Sequence, residues 1–410
     1  MISTISTSVT RPRESIDWLL FFALLPIIAA GLITMYSFER GQSASCESSV
    51  ASETVIGGNI VCGKETDSPN LLFRKQLIWL LLSLAAFFGA SFIDWRFVRR
   101  SGVLFGLFLL GCSLLLLLFL PGTTRGIHGW FNLGVLNLQP VEPAKLILIL
   151  ILAKYFSRRH IEIANMRHIL VSGSYAFVLF FLVLLQPDFG GALVIASVWF
   201  GMVMLSGISK KHFFAMLLIG VLSTLFLWAY VFKDYQKQRL FTYLNPLSDV
   251  RGSGYNAYQS MVAVGSGKFL GKGVGYGTQS RLQFLPEYET DFIFAAFAEE
   301  WGFVGVLLLL LCYGIVIWRV LLNAMHGLSN FEMLYGLGLA ILIMSHVVIH
   351  VGMNIGLLPV TGITLPFMSY GGTHLFTLFI GLGILMGMRR YKRTAHKDVI
   401  QNEFLGIVAE

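Results

Sequence analysis

The sequence predicts an all-α polytopic membrane protein of about ten transmembrane helices, folded as one integral domain over residues 1–410. Three observations predict it. Hydrophobic residues make up 56% of the chain and charged residues only 13%, where a soluble globular domain carries about 25% charged residues. Apolar runs recur at a length of about 20 residues, enough for a helix to cross about 30 Å of hydrocarbon. Lysine and arginine gather in alternate short connections, which is the bias of cytoplasmic loops. A water-soluble enzyme is thereby excluded. The formal net charge of +8 reports topology rather than nucleic-acid binding.

The first apolar run, 18–36, is long and lacks an Ala-x-Ala cleavage signal, so it is expected to remain as the first helix. The further spans are expected at 77–93, 103–120, 141–156, 169–185, 190–205, 213–231, 293–321, 333–351 and 374–388. An even number of spans puts both termini on one side. Cytoplasmic termini place residues 1–17, the arginine-dense connections 94–100 and 154–167, and the tail 389–410 inside. The short turns at Gln186 and Asn354 then lie outside, and neither carries a lysine or arginine. The long segment 232–290, between spans 7 and 8, is also extracytoplasmic, since long segments translocate largely regardless of charge. The connection 37–75 is rich in Ser, Gly and Glu and holds Cys46 and Cys62. In an oxidising compartment these two either bridge a short loop, worth at most about 3 kcal/mol, or stand as separate thiols. Cys112 and Cys312 fall within spans and read as packing residues.

Ionisable groups close to hydrocarbon are costly and point to function. Four sets stand out. Gln139-Pro140-Val141-Glu142-Pro143-Ala144-Lys145 opens span 4. Glu142 and Lys145 are three apart and share a helix face, so they line a polar cavity as a charged pair or neutralise each other at the helix start. In Gln186-Pro187-Asp188-Phe189-Gly190-Gly191, Asp188 is placed to cap span 6. The outer segment carries Lys233, Lys237, Arg239, Lys268, Lys272 and Arg281, and its glycines from Gly265 to Gly277 suit an anion cradle. It ends in Glu287, Glu289 and Asp291 before span 8. Asp291 there either complements the helix dipole or serves as a general base beside a lipid-borne substrate. His346 and His350 lie one turn apart in span 9, a spacing that suits zinc or two interhelical hydrogen bonds. No nucleotide fingerprint is present.

Together these stretches resemble the SEDS family, the shape, elongation, division and sporulation proteins. The resemblance also rests on Leu285-Pro286-Glu287 through Phe294, on Ala298-Glu299-Glu300-Trp301-Gly302, and on 356–372, which ends in Ser369-Tyr370-Gly371-Gly372. It covers about 18–393, and the segment Gly277-Thr278-Gln279-Ser280 resembles the elongation (RodA-like) members more than the division members. The resemblance implies a peptidoglycan glycosyltransferase of the bacterial inner membrane. Such an enzyme polymerises lipid II into β-1,4 glycan on the extracytoplasmic face and releases undecaprenyl pyrophosphate, with a class B penicillin-binding protein as partner. It implies Asp291 as the catalytic carboxylate and Lys145, oriented by Glu142, as an essential cation. Gln139, Arg239, Lys268, Lys272 and Glu299 follow as further substrate contacts. Trp130 is a candidate for stacking on sugar or lipid, and Ser369 for shaping the cavity.

An inverting transfer needs one displacement, a base for the acceptor hydroxyl and cations for the leaving pyrophosphate. A divalent cation would suit a diphosphate, but the sequence shows no metal cage. The chain departs from the family in three places. Gly129 rather than Arg precedes Trp130, with Arg125 or His128 nearby; His350 stands where an Asn is expected late in span 9; and the first outer connection is long. The rival reading, from another class, is a flippase for lipid-linked precursors. No inverted repeat supports it, and Glu142, Lys145 and Asp291 all fall at the expected outer face.

Overall fold

The computed structural model describes residues 16–52, 71–119, 129–133, 136–157, 166–207, 209–230, 237, 241, 243, 253–282, 284–285, 287–327 and 329–404. Arg239, the second cysteine of the Cys46–Cys62 pair, and Arg125 and His128 lie outside these residues. Twelve α-helices appear among them: α1 (Trp18–Ser52), α2 (Leu71–Phe92), α3 (Ser101–Leu117), α4 (Val141–Ser157), α5 (Met166–Leu185), α6 (Phe189–Leu205), α7 (Lys210–Tyr230), α8 (Ser253–Ser266), α9 (Thr278–Arg281), α10 (Ile293–Met325), α11 (Asn330–Asn354) and α12 (Gly372–Phe404). The helices α1–α7 and α10–α12 coincide with the ten expected spans. Seven of them are long and apolar enough to cross a membrane, and α3 and α6 are shorter apolar helices. α4 is equally short and carries Glu142, Lys145 and Lys154.

Three features differ most from expectation. α1 runs past Tyr36 to Ser52, and α12 runs past Met388 to Phe404. An α-helical ladder does not stop where hydropathy falls, and neither extension contains a proline to break it. The third difference is a two-stranded antiparallel hairpin, β1 (Phe131–Leu133) and β2 (Leu136–Leu138), with Phe131 opposite Leu138. Phe-Asn-Leu and Leu-Asn-Leu alternate apolar and polar residues, which is the period of a strand rather than of a helix.

Sequence-distant helices pack together. α1 lies against α10, α2 against α12, and α11 is surrounded by α4, α6, α10 and α12. α7 keeps nearly its whole surface exposed. One end of the bundle is tied by arginines. The Asp17 carboxylate accepts from Arg319 Nη2 at 2.8 Å and from Asn323 Nδ2 at 2.7 Å, and Arg389 Nη1 reaches Asn323 Oδ1 at 2.5 Å. Burial pushes the Asp17 carboxyl up, but Asn323, the Leu20 N–H and Arg319 more than offset it, so its pKa ends below the ordinary carboxylate value. Arg99, in the short 3₁₀ turn between α2 and α3, pairs with Glu332 at the start of α11.

At the opposite end, the glycine-rich stretch docks on a break in α10. Gly302 has φ 67° and ψ −168° inside that helix. The freed backbone groups are met from 268–273: Phe303 N–H donates to Lys268 O (2.9 Å), Lys272 N–H to Glu299 O (3.0 Å) and Gly273 N–H to Glu300 O (3.0 Å). A Cβ on Gly302 would stand 2.2 Å from Gly271 N, so only glycine permits this approach. Of the glycines expected to cradle an anion, Gly267 and Gly271 bring the stretch against the backbone of α10.

Candidate active site

Pro140 and Pro143 sit at the start of α4, where the first amides of a helix have no intrahelical acceptor and a missing N–H costs nothing. That start aims Glu142 and Lys145 inward on one face. Lys145 is 1% exposed and Glu142 is 7% exposed. Lys145 Nζ donates to Glu142 Oε1 at 2.7 Å and to His346 Nε2 of α11 at 3.1 Å. His346 donates from Nδ1 to Leu342 O at 2.9 Å, which leaves Nε2 as the acceptor that Lys145 needs. His374, in the first turn of α12, donates from Nδ1 to Glu142 Oε2 at 2.7 Å. Three helices thus meet through one buried ionic pair and two imidazoles. Asp188 accepts from Gly191 N–H at 2.7 Å and caps α6. His350 Nδ1 donates to Ile363 O at 2.7 Å, so each of the two span-9 histidines makes an interhelical or helix-to-loop hydrogen bond.

Glu142, His346 and His374 present ligand atoms within 4.8 Å of one another, a spacing that could hold a metal ion. The charge already present argues against one. The Lys145 ammonium bonds two of the three groups, and a divalent ion beside it would add like charge in a buried site. The residues fit their own lysine better than a metal.

Asp291 lies in the turn that leads into α10. Its N–H donates to Glu287 O at 3.0 Å and its carbonyl accepts from Asn354 Nδ2 at 3.0 Å. Asn354 is the last residue of α11 and is also bonded by Ser260 Oγ of α8. The two residues before Asp291 are held from the 359–371 segment: Tyr370 N–H donates to Glu289 O (2.9 Å) and Ser369 Oγ to Thr290 O (2.8 Å). The carboxylate faces Gly362, whose φ is 73° and where a Cβ would lie 3.4 Å from Asp291 Oδ2. Asn354 and His346 are eight residues apart on α11, so the Asp291 turn and the Lys145 cluster are about 12 Å apart along that helix.

Residues 58–394 match the family of cell cycle proteins that comprises FtsW, RodA and SpoVE. The chain belongs to this family. Stage V sporulation protein E of Bacillus subtilis (strain 168) is 32% identical over 389 residues, 94% of this chain and 100% of that one. The peptidoglycan glycosyltransferase MrdB of Escherichia coli (strain K12) is 38% identical over 282 residues, 67% of this chain and 74% of that one. A solved chain from a study of the structural coordination of polymerization and crosslinking by a peptidoglycan synthase complex superposes with a TM-score of 0.72 at 29% identity. It covers 92% of this chain and 99% of that one.

The other expected site residues of this FtsW/RodA/SpoVE protein fall in different surroundings. Glu299 is fully buried, and Lys272 Nζ (2.7 Å), the Thr278 N–H (2.9 Å) and the Gln279 N–H (3.2 Å) all donate to its Oε1. Glu299 therefore clamps the glycine-rich stretch, and Lys272 belongs to the clamp. Gln139 donates its backbone N–H to Thr373 Oγ1 at 3.2 Å, fixing the hairpin to α12. Lys268 is exposed and Trp130 is 40% exposed, so both can meet a ligand. Ser369 is buried, accepting from Leu365 N–H at 2.8 Å while it donates to Thr290 O.

Two functional candidates were missed. His374 gave the same signal as His346, a histidine inside an apolar run, but its partner Glu142 is 232 residues away in sequence. The asparagine late in α11 is Asn354, four residues after the His350 expected to replace it. Ser369→Ala is expected to remain folded, to lose about 1–3 kcal/mol of stability and to slow glycan synthesis about tenfold by loosening the Asp291 turn. Thermal unfolding and a polymerisation assay on the same preparation check this; an unchanged rate would show that the turn is held without Ser369.

Proposed function

We propose that this protein is a peptidoglycan glycosyltransferase that polymerises lipid II. In this reading the arginine-tied end faces the cytoplasm, as the positive-inside rule requires, and the Asp291 end faces out. The observation that carries it is the Asp291 turn. Backbone bonds from α11 and from 359–371 fix a carboxylate opposite a glycine, at the end of the bundle where a lipid-linked sugar would present its headgroup. The acceptor hydroxyl attacks the anomeric carbon of the α-linked diphosphate, and Asp291 takes its proton. The new bond is β-1,4, and undecaprenyl pyrophosphate leaves with its electron pair. Lys268, Arg239 and Trp130 are the candidates to meet pyrophosphate, lipid or sugar. Lys145 and Glu142 act from below, holding α4, α11 and α12 in register and contributing positive charge beneath the pyrophosphate.

The family and the names of its relatives support this chemistry. The likeness to a chain of a peptidoglycan synthase complex supports a crosslinking partner, a class B penicillin-binding protein. An elongation and cell-shape role rests on the Gly277–Ser280 segment and on the MrdB match; the sporulation relative matches too. The test is purified protein with its cognate crosslinking partner and labelled lipid II, read as glycan length on a gel. Polymer is the expected result. Lipid II translocation in vesicles without polymer would overturn it in favour of a flippase.

A further inference from the structure

Two hydrogen bonds between the first helix and α10 mark the edges of the apolar slab. Asp17, just before α1, accepts from Arg319 at one edge, and Ser37 Oγ donates to Glu300 Oε1 at 2.9 Å at the other. Asp17 to Ser37 is 20 residues and Glu300 to Arg319 is 19, which is about 30 Å and about 28 Å of helix. A hydrocarbon core is about 30 Å thick. The apolar span of α1 is likewise Trp18–Ser37. Glu300 therefore stands at the second boundary of the hydrocarbon, and the break at Gly302 lies just inside it.

From the break onward α10 turns an apolar stripe outward. Val304, Leu307, Leu308 and Leu311 are all exposed, at the three- and four-residue spacing of one helix face. In a membrane span that face meets acyl chains. The glycine-bounded turn 267–271 extends the stripe at its end. The Gly271 N–H donates to Gly267 O at 2.8 Å and closes the turn, and the Val304 N–H donates to Phe269 O at 3.1 Å. Phe303 meets the Phe269 ring edge-on, with centroids 6.0 Å apart. Phe269 is nonetheless 74% exposed and Leu270 82%. A loose loop can fold such side chains away, whereas this turn is bonded to the α10 backbone and presents them. Lys268, beside the pair, is exposed too, and no Asp or Glu occurs between Met261 and Pro286.

We propose that the 267–271 turn is an anchor in the leaflet at the Asp291 end of the bundle. Phe269 and Leu270 enter the acyl-chain boundary beside Phe303, with Lys268 at the level of the headgroup phosphates. Two large apolar side chains next to a lysine, placed where hydrocarbon gives way to headgroups, have the chemistry of interfacial insertion. Their surface is continuous with the lipid-facing stripe of α10, which is why lipid rather than protein is the occupant. The same turn meets the broken backbone of α10, so the anchor fixes the depth of that break in the leaflet. The proposal does not depend on the polymerase reading.

The test puts the photoreactive p-benzoylphenylalanine in place of Leu270 in the full chain, reconstituted in bilayers of phosphatidylglycerol and phosphatidylcholine. The same substitution at Leu308, on the lipid-facing stripe, is the standard for acyl-chain contact. Intact mass after irradiation reads the adducts. Lipid adduct at 270 in at least about a third of the yield at 308 is expected, and a lower yield overturns the proposal. So does an adduct that passes from lipid to the cognate crosslinking protein when that protein is reconstituted alongside. If the probe disturbs folding, Phe269→Trp decides. Its added fluorescence, taken as the difference from wild type, is expected to be quenched by phospholipid brominated high on the acyl chain. An added tryptophan that such lipid leaves unquenched overturns the anchor.

Discussion

Replacing Asp291 with Asn or Ala is expected to leave a folded membrane protein that has lost glycan synthesis. The acceptor hydroxyl of a sugar is a poor nucleophile until a base removes its proton, and a positioned base contributes about 10²–10⁴-fold. The turn around Asp291 is held through backbone atoms of residues 289–291, by Tyr370, Ser369 and Asn354, and none of these bonds uses the carboxylate. These backbone bonds are kept in either variant, so the turn is expected to persist when the charge is lost. Asp291→Asn keeps the side-chain volume beside Gly362, so it separates loss of the base from loss of shape. Polymerisation of labelled lipid II by each variant, with thermal unfolding on the same sample, makes the measurement. A rate within a factor of about ten of wild type for Asp291→Asn would remove this residue from the chemistry.

The second large effect is expected at the buried pair. Lys145→Met leaves Glu142 ionised and buried with only His374 as a partner, and breaking a buried pair in this way costs about 3–5 kcal/mol. The double change Glu142→Gln with Lys145→Met removes both charges and keeps an amide oxygen for His374 Nδ1–H. It is expected to recover most of that loss, because a neutral pair carries no desolvated charge. It is not expected to recover activity, because the positive charge under the pyrophosphate is gone. Unfolding in denaturant and glycan synthesis are then read on wild type, Lys145→Met and the double variant. A double variant with wild-type activity would make the pair purely architectural. A double variant as unstable as Lys145→Met would show that geometry rather than charge governs the site.

Much of the architecture was legible because each span is encoded locally. The apolar runs placed α1–α7 and α10–α12 along the chain, though α1 and α12 run well past the ends that hydropathy suggested. The Glu142–Lys145 pair was legible for the same reason, since a three-residue spacing fixes a shared helix face. What could not be read was every contact between distant segments. Glu142 needs His374, Lys145 needs His346, and Asp291 needs Asn354 and Ser369; no periodicity links these positions. The glycine-rich stretch was only partly legible for a related reason. Glycine reports that something comes close, without reporting what, and at Gly267 and Gly271 it is the backbone of α10. Glu299 was placed among substrate contacts by the family resemblance, and its carboxylate accepts from Lys272 and from the Thr278 and Gln279 amides.

The pairing of the first helices with the last has a consequence for biogenesis. Asp17 waits for Arg319, 302 residues later; Ser37 waits for Glu300, 263 residues later; Gln76 waits for the carbonyl of Ser369, 293 residues later. At a synthesis rate of about 5–20 residues per second, the first two spans sit in the bilayer for roughly 13–60 s before their partners are made. During that interval a carboxylate and a glutamine have only lipid, water or the insertion machinery to satisfy them. The bundle can close only once α12 has left the ribosome, so a nascent chain stalled after α7 would expose the faces of α1 and α2 that the finished protein buries.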